Sequence, residues 1–303
     1  MPERPREIAL MYSGGSDSTL TARRLARTHD RVHLVTYRSF GIILVRQSER
    51  HYRQLCARFG GERFVRAIID NRWLHRALLK GLASDYVRYC QGTAPGVICL
   101  ACKMAMHART LIYCLQHGVP EAADGATRFQ TDHPECMPDV LNALRQMYAD
   151  YGVRFTSPIY DVPGKQHIEA VLRREGYASS LRIGQGQRFN QPMCLVGPWS
   201  TLWHFQAPYV EERMVAYVRD KRPLVDRAVR AYFRRRGLDL EGLRRPPLVL
   251  TPHGHHDHRP VKVESEFGER PDLFISRLLS PIWFLLDLYL SARAERERRD
   301  RHG

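Results

Sequence analysis

The sequence is short of acidic residues and lacks a long uninterrupted apolar run. Its 303 residues include 47 Lys and Arg but only 32 Asp and Glu, which gives a formal net charge of +15. Because clustered cations attract polyphosphates, this imbalance favours a nucleic-acid partner or an acidic substrate. The best candidate for a membrane span, residues 273–290, is interrupted by serine, arginine, proline and aspartate, so we expect no membrane association.

Two further features that would mark a secreted protein are missing. The first residues are charged and lead directly into a strand-like segment, so we expect no signal peptide. The seven cysteines are an odd number in a long chain, which is not the pattern of a disulfide framework. The expected location is a reducing cytoplasm, where close cysteines bind metals or catalyse reactions more often than they form crosslinks.

The first 160 residues alternate between strand-like and helix-like patterns, which predicts an α/β protein with a parallel sheet. Predicted strands cover residues 8–12, 32–37, 64–69, 122–127 and 153–159. Predicted helices cover residues 52–59, 73–78, 100–116 and 165–176. Residues 91–98 contain two glycines and a proline, which predicts a loop.

The chain changes character after about residue 206, which predicts a domain over residues 1–205 and a basic, mainly helical region over residues 206–303. Residues 209–236 predict one or two helices, interrupted near Pro223. Residues 213–245 hold eleven Lys or Arg against four Asp or Glu, with aromatic residues interleaved. This segment is either a solvated helical face or a surface that binds nucleic-acid phosphates.

A glycine–serine loop follows the first predicted strand and precedes the first predicted helix. Its glycines let successive N–H groups point at one anion, and the helix adds the positive end of its dipole. An aspartate in such a loop would repel phosphate unless a cation such as Mg²⁺ bridged the two. The usual GxxxxGK[ST] loop is absent, because Gly164 and Lys165 are followed by Gln166. The loop consists of Ser13, Gly14, Gly15, Ser16, Asp17 and Ser18.

Placed directly after the first strand, this loop resembles the SGGxDS signature of the PP-loop ATP pyrophosphatases. The resemblance covers roughly residues 7–200. It implies a parallel five-stranded core of the adenine-nucleotide α-hydrolase type and cleavage of ATP to AMP and pyrophosphate, with the substrate activated as its adenylate. Asp124 and Gly125 resemble the second nucleotide-contacting segment, although a plain strand-end turn explains them nearly as well. The implied ATP-binding residues are Tyr12, the six loop residues, Asp124 and Gly125, and Asp17 would also hold Mg²⁺ and act in catalysis.

Three cysteines form the second candidate site. Cys99 and Cys102 form a CxxC motif at the start of a predicted helix, and Cys194 follows 92 residues later. A helix N-terminus lowers the pKa of a thiol, so the pair is expected to have thiolate character. A tetrahedral zinc site would need a fourth ligand, for which His107 and Cys90 are candidates.

CxxC with one distant cysteine resembles the pattern of tRNA thiolation enzymes in the PP-loop superfamily. In the 2-thiocytidine and 2-thioribothymidine synthetases, three such cysteines hold a [4Fe-4S] cluster with one open iron. In the 2-thiouridylases, two cysteines form a persulfide relay. The resemblance implies an ATP-dependent sulfurtransferase with Cys99, Cys102 and Cys194 as catalytic or cluster-binding residues. Its implied partners are tRNA and a sulfur donor, either a cysteine desulfurase or a sulfide carrier.

The chain also departs from that pattern. No zinc-ribbon cysteine pairs of the 2-thioribothymidine type flank the predicted core, and because the loop begins at Ser13 we expect no N-terminal RNA-binding module of the 4-thiouridine synthetase type. If tRNA is the substrate, we expect its phosphates to contact Arg227, Arg230, Arg234 and Arg235. The alternatives are a small-molecule substrate, such as a nucleobase or a natural-product or cofactor precursor, and a non-catalytic nucleotide-binding scaffold subunit.

Several other features stay open at this point. Lys103, Lys165 and Arg188 could contact phosphate or be ordinary surface cations. The histidine-rich string at residues 253–258 is interpreted as a loop, with a minor metal site as the alternative. The apolar helix expected within residues 274–290 would pack on the domain or on a second subunit in a homodimer.

Overall fold

The computed structural model describes residues 5–91, 93, 96–131, 133–177, 192–196 and 209–250. Five of its strands form one sheet in the order β4-β2-β1-β5-β6, and every pair in that sheet is parallel. This arrangement confirms the α/β class and the parallel five-stranded core predicted from the sequence. The strands are β1 (Glu7–Met11), β2 (Arg31–Arg38), β3 (Ile42–Ile43), β4 (Phe64–Asp70), β5 (Glu121–Ala123), β6 (Arg154–Thr156) and β7 (Met193–Cys194).

The central strand β1 is buried on both faces, which explains its continuous apolar run. Alternate side chains enter different cores, because successive residues of a strand point to opposite faces. Ala9 and Met11 belong to the larger cluster, whereas Ile8 and Leu10 belong to the other. The sheet is therefore covered by helices on both sides.

The helices of the described residues are α1 (Ser16–Leu25), α2 (Glu49–Phe59), α3 (Arg72–Leu79), α4 (Leu82–Asp85), α5 (Gly96–His117), α6 (Pro138–Ala149), α7 (Lys165–Arg174), α8 (Glu211–Arg234) and α9 (Leu240–Leu243). Helix α5 is long and apolar enough to cross a membrane, but 67% of its most apolar stretch is buried inside the protein. Burial of this kind is what the central helix of a packed core shows.

Helix α5 begins at Gly96, inside the segment predicted to be a loop. The glycine is explained by packing: a Cβ atom at this position would lie 2.8 Å from the ring of Tyr209. The sequence pattern suggested that Gly96 is a turn residue. In the structure, the absence of a side chain at Gly96 instead allows the start of α5 to lie close to the segment before α8. Helix α6 was not predicted, although Val140, Leu144 and Met147 follow helical spacing and are fully buried.

Helix α8 runs without interruption through Pro223, so the predicted break there is wrong. Proline removes one N–H and frees the carbonyl four residues earlier, at Arg219. Both Pro223 and Arg219 are exposed, so water can satisfy that carbonyl. The opposite face of α8 packs into the larger core through Met214, Val225 and Phe233. The division into two domains near residue 206 stays a prediction.

A second, two-stranded sheet brings the segment around Cys194 back to the main sheet. β7 pairs antiparallel with β3, with Ile42 opposite Cys194, and the Leu195 N–H donates to the Gly41 carbonyl over 2.9 Å. β3 lies shortly after the carboxyl end of β2 in the chain. Arg188, the string at residues 253–258 and the apolar segment at residues 273–290 lie outside the described residues.

Candidate functional site

The predicted phosphate loop connects the carboxyl end of β1 to the N-terminus of α1. Gly14 has φ of 80°, a conformation that favours glycine, and this lets the chain turn sharply. The Ser18 hydroxyl accepts from the Gly14 N–H over 3.1 Å and donates to the Gly15 carbonyl over 3.2 Å. Among the described residues, no side chain caps α1 at Gly15. The backbone N–H groups at the N-terminus of α1 can therefore donate hydrogen bonds to a bound anion.

A buried histidine, which is not among the site residues predicted from the sequence, forms a hydrogen bond to this turn. The Nδ1–H of His51 donates to the Gly14 carbonyl over 2.6 Å and lies 3.2 Å from the Thr19 hydroxyl. His51 and Thr19 are fully buried. Tyr12, which precedes the loop, also has a buried side chain, so its ring lies in the core rather than at the loop surface.

Asp17 is surrounded by polar groups from two other segments. The Lys165 ammonium donates to the Asp17 carboxylate over 2.8 Å and to the Ser16 hydroxyl over 2.6 Å. The Gln130 amide donates to the other carboxylate oxygen over 3.3 Å. The sequence alone left Lys165 as either a phosphate contact or an ordinary surface cation, and its position at the start of α7 brings it to the loop. Lys165 and Asp17 thus put a positive and a negative side chain beside the same loop.

Asp124 and Gly125 lie directly against the phosphate loop, beyond the end of β5. A Cβ atom on Gly125 would be 3.1 Å from the Ser18 nitrogen and 3.3 Å from the Asp17 carbonyl carbon. The Asp124 carboxylate is fully buried and accepts from the Ala126 N–H and the Ser157 hydroxyl. This close backbone approach joins the two segments that the sequence analysis assigned to one nucleotide site.

We expect Gly125→Ala to weaken ATP binding by about tenfold or more, because the new methyl group must displace the start of α1 and misplace its N–H groups. Calorimetric titration with Mg-ATP measures this directly. Gly61→Ala is the matched control, since a Cβ atom there would meet no atom within 4 Å. Unchanged ATP affinity in folded Gly125→Ala would show that this contact does not position the loop.

An ion pair links the segment after β5 to the helix that carries the CxxC motif. The Lys103 ammonium lies 3.3 Å from the Asp124 carboxylate, and both side chains are largely or fully buried. Burial lowers the pKa of Lys103, but Asp124 and other nearby acidic groups together outweigh burial, and the pKa is raised. Burial likewise raises the pKa of Asp124, but the charge of Lys103 and the hydrogen bonds to the carboxylate together outweigh it, and the pKa is lowered. Both groups are therefore charged near neutral pH.

The cysteines occupy the same edge of the sheet in different surroundings. Cys99 and Cys102 are partly buried in the first turns of α5, and Cys194 is exposed on β7. Burial raises the pKa of Cys102, a neighbouring Cys194 raises it further, and a hydrogen bond with Ser39 opposes the rise. The expected lowering of the Cys102 pKa by the helix N-terminus is therefore wrong, because burial outweighs it. The predicted role of the three thiols as one site stays a prediction.

The binding of an iron-sulfur cluster by the cysteines stays a prediction. Within the described part of the chain, no three His, Cys, Asp or Glu side chains converge as a set of metal ligands. His107, a candidate fourth zinc ligand, is buried against Tyr148 and Phe155, and burial lowers its pKa to about 3. Cys90 is also fully buried. The Mg²⁺ prediction is chemically compatible with the site, since Mg²⁺ binds through one or two carboxylates plus substrate phosphates and Asp17 supplies one.

The four arginines predicted to contact RNA lie on α8 and at its C-terminal end. Arg227, Arg230, Arg234 and Arg235 are exposed, and none has an ion-pair partner among the described residues. Arg227, Arg230 and Arg234 are spaced three and four residues apart, which places them on one face of the helix. That face lies opposite the buried one, so both the solvated-face and the phosphate-binding interpretations remain open.

Among known proteins, the chain is similar in fold to some solved structures. No family profile and no curated protein sequence matches the chain. One similar solved structure is a predicted subunit of a tRNA methyltransferase from Methanocaldococcus jannaschii, with 16% identity, a TM-score of 0.39, and coverage of 78% of this chain and 91% of that one. Another is the U34-tRNA thiolase NcsA from Methanococcus maripaludis with its [4Fe-4S] cluster, with 12% identity, a TM-score of 0.38, and 74% of each chain covered.

Proposed function

We propose that the protein is an ATP-dependent sulfurtransferase that adenylates an oxygen of a tRNA base and replaces it with sulfur. One run of contacts carries the proposal. Cys102 is followed by Lys103, Lys103 pairs with Asp124, and Gly125 packs against Ser18 of the phosphate loop. The contacts thus connect the thiol pair with the predicted phosphate loop at the carboxyl ends of the strands, where α/β proteins bind their ligands.

The phosphate loop and Asp17 would bind and activate ATP. The N–H groups at the start of α1 would hold the phosphates, and Lys165 adds a positive charge beside them. Asp17 would hold Mg²⁺, which supplies neutralisation of phosphate charge when it is bound. The target oxygen of the base attacks the α-phosphorus, and pyrophosphate leaves. That oxygen thereby becomes part of a good leaving group.

Sulfur then displaces AMP from the activated carbon. A persulfide donor passes its outer sulfur to Cys194, whose exposure makes it accessible to another protein, and the donor leaves as a thiol. The outer sulfur attacks the base carbon, and AMP departs with the oxygen. A second thiol, from Cys99 or Cys102, attacks the remaining S–S bond, which releases the thiolated base and leaves a disulfide. An external dithiol must reduce that disulfide before the next turnover.

The function is tested by incubating the protein with tRNA, Mg-ATP, a cysteine desulfurase, cysteine and a dithiol reductant. We expect thionucleosides in the tRNA by mass spectrometry, with AMP and pyrophosphate released in equal amounts. ADP as the sole nucleotide product would overturn the proposal, and thiolation of a free base alone would replace tRNA with a small molecule. Iron and sulfide assays after anaerobic purification distinguish the carriers: about four irons per chain indicate a [4Fe-4S] cluster, and iron-free active protein indicates the persulfide route.

The exposed arginines at the C-terminal half of α8 would bind the tRNA backbone. We expect the quadruple change of Arg227, Arg230, Arg234 and Arg235 to glutamine to weaken tRNA binding and to reduce its salt dependence by about one log unit for each phosphate that is no longer neutralised. Filter binding at several salt concentrations measures this slope. Arg23→Gln and Arg53→Gln serve as controls because both arginines already pair with glutamates. A folded quadruple variant with an unchanged slope would identify these residues as a solvated face.

A further inference from the structure

An exposed tryptophan stacks on a tyrosine at the surface where α3 meets α8. The ring of Trp73 lies 6.1 Å from that of Tyr232, centroid to centroid, and the planes differ by 10°. Trp73 keeps 40% of its surface exposed. Tyr148 and Phe155 also stack with planes 10° apart, but both are buried in the core. The rings of Trp73 and Tyr232 are therefore as parallel as those of a buried pair, but much of the Trp73 surface is exposed to solvent.

Two arginines surround the same tyrosine. The guanidinium carbon of Arg236 lies 4.4 Å from the centroid of the Tyr232 ring, and that of Arg109 lies 5.0 Å from it. Arg109 also donates to the Tyr232 hydroxyl over 3.4 Å, and that hydroxyl lies 3.1 Å from the Gln116 carboxamide oxygen. These contacts fix the tyrosine, and through it they position Trp73.

The positive charge at this surface is not neutralised by the described part of the chain. Neither Arg109 nor Arg236 has a carboxylate partner among the described residues, and two nitrogens of Arg109 are buried without a hydrogen-bond partner there. The guanidinium of Arg109 is held against the Tyr232 ring, whereas Arg236 is exposed to solvent. The surface thus combines an exposed aromatic face with an exposed cation that has no carboxylate partner among the described residues, and this favours a ligand that is both flat and anionic.

We propose that Trp73, Tyr232, Arg109 and Arg236 form a stacking platform that binds an unstacked nucleobase of single-stranded RNA. A base would lie on Trp73, and a flanking phosphate would meet the exposed guanidinium of Arg236. Aromatic rings on which bases stack, combined with cations that follow the backbone, are how single-stranded nucleic acids are bound without sequence readout. The proposal rests on the proposed function for the identity of the RNA, since the bound strand would then be a segment of the tRNA substrate.

Fluorescence and direct binding with a 5′-labelled 12-nucleotide single-stranded RNA test the platform in the full-length protein. We expect the RNA to quench tryptophan emission, and Trp73→Phe to remove most of that quenching while retaining most of the affinity. Trp73→Ala should weaken binding about tenfold or more, as expected for loss of one stacked base. Its salt dependence should stay unchanged, because no charge is removed, whereas Arg236→Gln should lower the slope by about one.

Val87→Ala is the matched control, because Val87 is another large apolar side chain with most of its surface exposed and it lies outside the platform; the variant should bind RNA within about twofold of wild type. Full affinity of folded Trp73→Ala for the RNA would overturn the proposal. Equal competition by an acidic peptide would also overturn it, since that would show a general anion site. The binding assay needs no ATP and no sulfur donor. If the wild-type protein shows no thiolation activity but its RNA binding depends on Trp73, the proposed function is refuted and the platform proposal is not.

Discussion

Asp17→Ala is expected to reduce formation of AMP and pyrophosphate by about a hundredfold or more, because it removes the carboxylate that would hold Mg²⁺ beside the phosphates. The variant also leaves the Lys165 ammonium without the partner that orients it in the free protein. Pyrophosphate release with saturating tRNA and Mg-ATP measures the effect. Binding of ATP should fall much less than turnover, since the loop N–H groups remain.

Asp139→Ala provides the matched control for this change. Asp139 occupies the first turn of α6 as Asp17 occupies the first turn of α1, but it is exposed and remote in sequence from the loop. Its loss should leave turnover within about twofold of wild type, the range expected for a surface helix substitution. Near-normal turnover in Asp17→Ala would remove this carboxylate from the mechanism.

Single Cys99→Ala, Cys102→Ala and Cys194→Ala changes are each expected to abolish tRNA thiolation, because we expect the three thiols to form one site in which Cys194 carries the sulfur and the CxxC pair acts as a unit to release it. Mass spectrometry of nucleosides from the reacted tRNA gives the readout. ATP affinity should survive in all three variants, since the phosphate loop is built from other segments. Residual thiolation should be no more than the uncatalysed background in the same mixture.

Cys56→Ala is the control for the cysteine series, because Cys56 is partly buried on α2 beside Tyr52 and outside the proposed site. Its thiolation activity should match wild type. Full activity in any of the other three variants would remove that cysteine from sulfur transfer. Full activity of Cys194→Ala alone would restrict the relay to Cys99 and Cys102.

The parts of the fold that depend on local pattern were predictable from the sequence. The five strands of the main sheet were located within a few residues, because their apolar runs are bounded by glycine, proline and charged residues. The phosphate loop was recognisable because a strand, a glycine–serine turn and a helix follow each other without a gap. Its contact with Gly125 was suggested only by resemblance, since 107 residues separate Gly125 from Ser18.

Features that depend on distant contacts were not predictable. The antiparallel pairing of β3 with β7 involves two residues on each side, which is too short to leave a periodic pattern. The Lys103–Asp124 pair and the burial of Cys102 arise only when α5 packs over the sheet, and this burial reverses the pKa shift expected from the helix end. The continuity of α8 through Pro223 depends on which face of the helix meets solvent.

Helix α5 has a consequence for the distance between the proposed platform and the thiols. Cys102 and Arg109 are seven residues apart on this helix, which is two turns, so they share a face about 10 Å apart along the axis. A packed helix does not stretch, so the buried, 22-residue helix would keep the arginine of the platform and the CxxC pair at a constant separation while RNA binds.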